Sequence, residues 1–431
     1  MKRHLIGIGG VGMSALATAL VRLGDEVTGA DRTLGTPNVK FLESLGVKVY
    51  PDDGSGIDAA TDEVIVSTAI EETNAGLVKA KELGIPVTHR AKALARTLKD
   101  YKLVAVVGTC GKSTVTAMLG HVLAECGLDP MCVNGANVPG WEGAVRFGKG
   151  EYAVAEVDES DKSLVAFKPY AAIVTNASAD HYSKEEMDEV FDAFVKDCEG
   201  PVVDGRNVEV WKYGNGGIDE LGNGGIGEWV TPLPGKHNLQ NAALAAKMAL
   251  ALGCRAEGIK RALASFRGVE RRLQLISSAI KQSNNQTIKQ SPAVYDDYAH
   301  NPEKLKAMWT TLAEKHPEGI CAIWRPHGYA PLRKMMDALA AMFAETVRSC
   351  DRLLLLPVYD AGGTTDRSVN SDELLRRIQT IRQSDNQTIQ VADLDAAYAW
   401  CAAHKGEYAA FVTCGARDPG LPALAKRLSE M

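Results

Sequence analysis

The stretch VVGTCGKSTVTAML, from Val106 to Leu119, decides how this protein of 431 residues folds. It ends an apolar, strand-like run, turns on Gly108 and Gly111, and opens a helical pattern at Lys112. Backbone N–H groups at a helix N-terminus bind anions, and the lysine adds a positive charge. The common P-loop pattern has a glycine where this chain has Val106. We therefore interpret the loop as a compact GTxGK[ST] variant that binds nucleotide phosphates, with a plain glycine turn beside a solvated lysine as the alternative.

A second glycine-rich loop, GIGGVGMS, runs from Gly7 to Ser14 with the GxGxxG spacing of a dinucleotide fingerprint. It lies between a predicted strand and a predicted helix, and Asp31 ends the next strand. Alone, this pattern indicates NAD or a plain strand-to-helix turn. The same geometry suits any diphosphate, including that of a UDP-sugar, and a chain with a separate triphosphate loop has less need of a nicotinamide.

Short apolar runs alternate with amphipathic stretches along the whole chain, which predicts an α/β fold built from βαβ units with mostly parallel sheets. The run LVAVVG before the P-loop starts a second domain. A third α/β segment follows VERRL. We predict three domains, at residues 1–100, 101–270 and 271–431.

Composition excludes several classes of protein. Hydrophobic residues make up 45% of the chain and charged residues 24%, which is typical of a soluble globular protein. The 48 basic and 54 acidic residues give a formal net charge of −6 and form no basic stripe, so we expect no nucleic-acid partner. Nine cysteines without a CxxC pair fit neither a disulfide framework nor a zinc site and favour a reducing cytoplasm. No apolar segment approaches membrane-spanning length, and we expect neither export nor membrane insertion.

Acidic residues follow the predicted strand EYAVAEV, beginning with Glu156 and continuing through the segment 158–161. The carboxyl ends of strands in α/β sheets face the ligand crevice, and nucleotide-bound Mg2+ takes one or two carboxylates. A solvated acidic surface is the alternative. His181 ends the next strand region, where a histidine by itself is weak evidence for a metal site.

Three further stretches hold polar groups of ambiguous meaning. Asn238 and Asn241 start a helix, where an asparagine can cap the helix or read an adenine edge. Asp297 and His300 follow a strand of the third segment, and Arg272 precedes it. Together these residues could supply charge and hydrogen bonds to a nucleotide held by the central domain, on its far side.

These stretches, in this order and over nearly the whole chain, resemble the Mur ligase family, most closely its branch that joins L-alanine to UDP-N-acetylmuramate. The matching segments are HLIGIGGVGMSALA, VSTAIEETN, GTCGKST, EVDESDKS, IVTNASADH, GKHNLQNA and YDDYAHNP. The resemblance implies a Rossmann-like N-terminal domain for the UDP substrate, a central ATPase domain and a Rossmann-like C-terminal domain. It also implies that one glycine loop holds UDP and the other holds ATP.

In such ligases the muramate carboxylate attacks the γ-phosphorus of ATP, and an amine then attacks the acyl phosphate. The resemblance implies that Lys112 bridges the phosphates, that Ser113 and Glu156 hold one Mg2+, and that His181 holds a second. The implied ATP-binding residues are Gly108, Thr109, Cys110, Gly111, Lys112, Ser113, Thr114, Asn238, Asn241, Arg272, Asp297 and His300. The implied UDP-substrate residues are Gly9, Gly10, Val11, Gly12, Met13, Ser14, Asp31, Ser67 and Thr68.

Several residues depart from the family pattern. Cys110 stands where the family usually has histidine or asparagine. WRPHGYAPLR has Gly328 and Pro331 where the alanine branch has arginines that are candidates for binding the amino-acid carboxylate, and Arg325 or Arg333 could compensate. The alternatives are a murein-peptide recycling ligase that joins a tripeptide to the same nucleotide, and a paralogue that binds without ligating, which these departures favour. An NAD-dependent dehydrogenase is a further alternative, supported only by GIGGVG and Asp31.

Overall fold

The computed structural model describes residues 1–158, 163–177, 184–206, 229–277, 291–360, 366–383 and 387–431. The chain forms two compact units. One comprises Met1–Pro232 with His237–Val269, and the other Leu233–Lys236 with Glu270–Met431. The described residues form three sheets, two in the first unit and one in the second, so the predicted α/β class is confirmed. The predicted domain boundaries stay predictions.

The first sheet is entirely parallel, with strand order β3-β2-β1-β4-β5. The order reverses between β1 and β4, and such a switch point opens a crevice at the carboxyl ends of the strands. Local sequence sets the helix starts, since Thr36 and Asn74 accept N–H bonds of the first helical turns that follow them. The elements are β1 (Lys2–Ile6), α1 (Val11–Arg22), β2 (Glu26–Asp31), α2 (Pro37–Ser44), β3 (Lys48–Pro51), β4 (Glu63–Val66), α3 (Ala75–Glu82), β5 (Val87–His89) and α4 (Arg90–Thr97).

The second sheet has the order β11-β10-β6-β9-β7-β8, with only the β7–β8 pair antiparallel among its described pairings. Its central strand β6 reads LVAVV and is fully buried from Val104 to Val107, as a strand covered on both faces requires. The elements are β6 (Lys102–Val107), α5 (Lys112–Glu125), β7 (Met131–Val133), β8 (Val145–Arg146), β9 (Tyr152–Glu156), a 3-10 turn (Ser163–Ala166), β10 (Ala171–Val174), α6 (Lys184–Val195), β11 (Val202–Asp204), α7 (Lys236–Ala251) and α8 (Ala256–Ser265).

The first two sheets share one continuous apolar core. Leu16 of α1 and Val133 of β7 belong to the same buried cluster, as do Leu94 of α4 and Leu164 of the 3-10 turn. Burying apolar side chains of both sheets in one core stabilises the unit as a whole, because each buried leucine contributes about 2 kcal/mol. The two glycine-rich loops therefore lie on one compact body.

The third sheet has the order β12-β13-β17-β14-β15-β16, with β12 antiparallel to β13 and the remaining described pairs parallel. Separate apolar clusters cover its two faces. Asn301 caps the first helix of the unit by accepting the Lys304 N–H at 2.9 Å, and Pro302 follows it. The elements are β12 (Gln274–Ser277), β13 (Ala293–Asp297), α9 (Pro302–Lys315), β14 (Ile320–Trp324), α10 (Tyr329–Thr346), β15 (Arg352–Leu355), α11 (Ser371–Arg382), β16 (Thr388–Gln390), α12 (Leu394–Ala403), β17 (Ala410–Cys414) and α13 (Gly420–Ser429).

Candidate nucleotide and substrate sites

The P-loop connects β6 to α5 and depends on glycine at two positions. Gly108 has a φ of 128° and Gly111 a φ of 86°, conformations that side chains other than glycine rarely adopt. A Cβ atom at Gly108 would overlap the Thr175 hydroxyl, and one at Gly111 would come within 2.7 Å of Asn241 Oδ1. The loop is therefore closely packed on both sides, and the glycines let its backbone approach a ligand.

Asn176 holds the middle of the P-loop from the end of β10. Its Oδ1 accepts the Cys110 N–H at 2.9 Å, and its Nδ2 donates to the Cys110 carbonyl at 2.9 Å. The Thr175 hydroxyl donates to the same carbonyl at 2.7 Å. These contacts hold Cys110 by its backbone. The sequence pattern TNAS gave no reason to single out Thr175 and Asn176, because they lie 65 and 66 residues from Cys110 along the chain.

Lys112, Ser113 and Thr114 form the first turn of α5, where backbone N–H groups have no partner within the helix. Lys112 Nζ donates to the carbonyl of Gly108 at 2.6 Å, so the ammonium group lies over the loop. Ser113 and Thr114 are buried. A positive charge, a helix N-terminus and a hydroxyl thus meet at one point, which suits phosphate oxygens.

Glu156 ends β9, the strand beside β6, so its carboxylate lies at the same sheet edge as the P-loop. Its Oε2 accepts the N–H of Gly135 at 2.8 Å. A carboxylate together with the Ser113 hydroxyl is an oxygen donor set that fits Mg2+. The described residues contain no group of three or more histidine, cysteine or acidic side chains placed to hold a metal. The other predicted metal ligand, His181, lies outside the described residues.

Asn134 follows β7, which pairs with β9, and sequence reasoning missed it. The side chain is buried, and its Oδ1 has no hydrogen-bond partner in the described part of the chain. Its Nδ2 donates to the carbonyl of Ala136 at 3.0 Å. A buried amide oxygen without a partner costs free energy, which makes Asn134 a candidate for contact with a bound molecule.

Asn238 and Asn241 lie on α7, which begins at Lys236, two residues before Asn238. Asn238 is therefore inside the first turn, and the cap alternative for it is wrong. Asn241 Nδ2 donates to Asn238 Oδ1 at 3.3 Å, and both side chains are buried. The closeness of Asn241 to the Gly111 position puts this amide pair beside the P-loop, and the nucleotide contact stays a prediction.

The N-terminal glycine loop is shaped by two side chains from the next strand and helix. The N–H of Gly9 donates to Asp31 Oδ2 at 2.8 Å, and Asn38 Nδ2 donates to the Gly9 carbonyl at 2.9 Å. Asp31 Oδ1 accepts the Thr33 N–H at 2.9 Å. Asp31 therefore positions the loop through backbone bonds. Asn38 is a further residue that the sequence pattern did not reveal.

The remaining predicted UDP-substrate residues surround the switch point of the first sheet. Ser67 and Thr68 follow β4, the strand beside β1. Gly12 packs against the guanidinium of Arg90, since a Cβ there would come within 3.1 Å of Nη1. The loop therefore has a cation at its helical end. The residues at the start of α1 are Gly10, Val11, Gly12, Met13 and Ser14.

A side-chain contact joins the surroundings of the two loops within the first unit. Asn137 Nδ2 donates to Asn38 Oδ1 at 3.5 Å, and Asn38 in turn holds Gly9. On the same segment, Gly135 binds Glu156. The residues between β7 and β8 therefore contact both the N-terminal loop and the carboxylate beside the P-loop.

In the second unit, two aspartates end β13, the buried Asp296 and the half-buried Asp297. Burial raises the pKa of Asp296 to about 6, although Arg271 Nε lies 3.2 Å away and the Thr413 hydroxyl donates at 2.7 Å. Burial also raises the pKa of Asp297, whose two oxygens accept the N–H groups of Leu273 and Ala299, each at 2.6 Å. Asp297 thus organises the loops around it.

Two cationic side chains and two imidazoles gather near the ends of β13 and β14. The guanidinium groups of Arg271 and Arg272 lie 5.1 and 5.2 Å from the centre of the Tyr298 ring. The rings of His300 and His327 are 4.7 Å apart, edge to face. The structure thus brings Arg272 and His300, both predicted to bind nucleotide, to one edge of the third sheet.

The two arginines that could compensate for Gly328 and Pro331 already have carboxylate partners. Arg325 pairs with the buried Asp418 at 2.5 Å, and Arg333 pairs with Asp366 at 2.7 Å. Gly328 has a φ of 150°, so the loop before α10 is built around glycine. Neither arginine takes over the missing charge without breaking an existing pair.

Comparison with known proteins identifies the family. The model described as "Mur ligase family, catalytic domain" matches residues 2–102, and the one described as "Mur ligase, glutamate ligase domain" matches residues 271–417. A protein of Rhizobium etli named UDP-N-acetylmuramate–L-alanine ligase is 30% identical over 99% of this chain and 96% of its own length. The chain belongs to the Mur ligase family. The resemblance predicted from its motifs is confirmed.

Other Mur ligases agree with this assignment. A Cyanothece protein with the same name as the Rhizobium one is 33% identical over 86% of this chain and 84% of its own. The solved structure of UDP-N-acetylmuramate-alanine ligase from Thermotoga maritima shares the fold, with a TM-score of 0.80 at 24% identity over 100% of this chain and 98% of its own. Membership of this family implies the use of ATP. Across the described residues, no helix combines the length and apolar character needed to cross a bilayer.

Proposed function

We propose that this protein is an ATP-dependent carboxylate–amine ligase that joins L-alanine to UDP-N-acetylmuramate through an acyl phosphate. The proposal rests mainly on one observation. A single compact unit carries two glycine-rich loops, here called the two cradles, and each lies at the carboxyl ends of the parallel strands of its own sheet. The names of the relatives from Rhizobium etli and Cyanothece support this choice of substrates.

In the proposed reaction the first cradle binds the diphosphate of the UDP-sugar. The Gly9 loop, held by Asp31 and Asn38, offers its backbone to the phosphates at the N-terminus of α1. The Arg90 guanidinium beside Gly12 adds a positive charge. This arrangement fixes one end of the substrate while leaving its carboxylate free to react.

The second cradle binds the triphosphate of ATP. Lys112 moves from the carbonyl of Gly108 to the phosphates and offsets the negative charge that otherwise repels the attacking carboxylate. Buried Asn238 and Asn241 face the nucleotide. Ser113 and Glu156 would hold Mg2+, and the bound cation would supply further charge neutralisation on the phosphate oxygens.

Attack of the carboxylate on the γ-phosphorus forms a carboxyl–phosphate bond and releases ADP. The uncharged amine of the amino acid then attacks the acyl carbon, forms the amide bond and expels phosphate. Both steps depend on orientation, because two reactants held in place react as if at a very high local concentration.

One assay tests the proposal. Purified protein is incubated with ATP, Mg2+ and UDP-N-acetylmuramate, and ADP release is followed with L-alanine, other amino acids or the tripeptide. We expect release to depend on both the UDP-sugar and L-alanine, and to yield a product heavier by one alanyl residue. Release stimulated only by the tripeptide would instead assign the recycling reaction.

Two further outcomes contradict the proposal in different ways. Binding of UDP-N-acetylmuramate and ATP without ADP release under any condition indicates a paralogue that does not ligate. Reduction of NAD without an ATP requirement restores the dehydrogenase alternative. A Lys112→Ala variant run in parallel shows whether any ADP released comes from the P-loop.

A further inference from the structure

Arg417 has an unusual backbone conformation in the loop that follows β17. Its φ is 66°, and the N–H of Asp418 donates to the carbonyl of Ala416 at 2.8 Å, closing a tight γ-turn around it. Glycine adopts this conformation without strain, whereas any other residue costs about 1 kcal/mol. Backbone strain of this kind concentrates at functional sites, so an arginine in this conformation indicates a functional role.

The neighbours of the turn hold it rigidly. Ala416 and Asp418 are buried, and Asp418 pairs with Arg325 at 2.5 Å and accepts the Gly420 N–H at 2.8 Å. Arg417 itself is exposed. Its guanidinium forms no hydrogen bond or ion pair within the described part of the chain. The turn thus presents an unpaired positive charge from a fixed base.

Strand pairing places this charge beside the segment that lacks the expected arginines. β17 lies between β13 and β14, with Cys414 opposite both Asp297 and Trp324. The loops after these three strands therefore share one edge of the sheet, and they carry His300, Arg417 and His327. His300 and His327 are in ring contact at 4.7 Å.

The side chains at this edge of the third sheet differ in charge. Burial, together with the nearby charges of Arg417 and Lys304, lowers the pKa of His327 to about 4, so the imidazole is neutral at physiological pH. Next to it, Gly328 and Pro331 provide no charge. Arg417 is then an exposed cation available to an anion that approaches the two histidines.

We infer that Arg417 binds the carboxylate of the incoming amino acid, doing from the β17 loop what arginines near positions 328 and 331 would otherwise do. This inference rests on the proposed function. Guanidinium–carboxylate pairs combine charge with two parallel hydrogen bonds, so they select an α-amino acid over an analogue whose carboxylate is an amide. The substrate class assigned to this edge is therefore a free amino acid.

The test compares L-alanine with L-alaninamide as acceptors, using kcat/KM from ADP release, for the full-length wild type and for Arg417→Gly. We expect the wild type to prefer L-alanine by about 30-fold or more, and the variant to lose most of this preference. Arg417→Lys should keep part of it. Because glycine relieves the strained φ, the Arg417→Gly protein should melt no lower than the wild type.

Arg333→Ala is the matched control, since that guanidinium pairs with Asp366. It should keep the wild-type preference. Three results would each overturn the role of Arg417. The wild type could use L-alanine and L-alaninamide equally, Arg417→Gly could keep the wild-type ratio of the two kcat/KM values, or Arg333→Ala could lose that ratio.

Hydroxylamine separates failure of this inference from failure of the proposed function. It attacks an acyl phosphate directly and gives a hydroxamate and phosphate, so it drives ADP release without an amino acid. If the wild type releases ADP with hydroxylamine but does not discriminate between the acceptors, only the role of Arg417 fails. If hydroxylamine and every amine fail alike, both fail.

Discussion

The side-chain amide of Asn176 brackets the backbone of Cys110, accepting its N–H and donating to its carbonyl, each at 2.9 Å. The P-loop is thus fixed by a residue 66 positions away, while the thiol of Cys110 takes no part in these two bonds. Cysteine at this position, where the family usually has histidine or asparagine, is therefore compatible with an ordered phosphate loop.

Asn176→Ala should weaken ATP binding more than Cys110→Ala does. Removing the amide breaks two hydrogen bonds to the loop, each with a net value of about 1 kcal/mol, so the KM for ATP should rise by about 10-fold or more. Cys110→Ala should change it by less than about threefold, because the backbone bonds remain. An equal rise in both variants would show that the thiol contributes to the loop after all.

Gly111→Ala tests the close packing of the P-loop against α7. Gly127 provides a matched control, since it has the same φ of 86° but open space around its Cα. Both substitutions should lower stability by about 1 kcal/mol through backbone strain. Only Gly111→Ala should raise the KM for ATP, because its methyl group displaces Asn241. A similar rise in Gly127→Ala would mean that strain alone explains the effect.

Lys112→Ala should abolish turnover and leave the affinity for UDP-N-acetylmuramate nearly unchanged. The ammonium group supplies charge where phosphate is transferred, and removing such a group lowers kcat by about a hundredfold or more. Isothermal titration calorimetry measures the affinity for UDP-N-acetylmuramate. Equal loss of turnover and of UDP-sugar affinity would contradict the division into two cradles.

Asn38→Ala should have the reciprocal effect. It releases the carbonyl of Gly9, so the KM for UDP-N-acetylmuramate should rise by about 5- to 10-fold, the value of one hydrogen bond. The KM for ATP should stay within about twofold, because Asn38 does not touch the P-loop. A parallel rise for both substrates would indicate that the Asn38–Asn137 contact couples the cradles.

Stability should fall in mild acid because of His4. Burial lowers the pKa of His4 to about 4, and its Nδ1 lies 2.9 Å from Thr28 Oγ1. The unfolded imidazole titrates near about 6.5, so the unfolded chain binds more protons between that pH and 4. This contribution is fully present above about pH 6.5 and is lost as the pH falls through the window, by about 1.4 kcal/mol at pH 5.5.

Thermal unfolding at pH 7.5 and 5.5 measures this loss in the wild type and in His4→Asn. The variant should be less stable at pH 7.5, since it leaves a void in a buried site, but its melting temperature should fall less between the two pH values. An identical fall in both proteins would show that other groups account for the acid sensitivity.

The sequence by itself determined the elements and the two glycine loops. Alternating apolar runs, the caps Asn74 and Asn301, and the glycine spacings act within a few residues, so local physics specifies them. The family could also be predicted, because its motifs are short and contiguous. The strands predicted from the βαβ pattern are present in the three sheets.

Only the tertiary structure decided which side chains hold those loops. Asn176, Asn38 and Asn241 gain their meaning from partners 66, 29 and 130 residues away, contacts that exist only once parallel strands align their carboxyl ends. The charge of Arg417 likewise reaches the edge near His327 because β17 inserts between β13 and β14. Chain order is visible in sequence, whereas strand order, which brings distant loops together, is set by packing of the whole sheet.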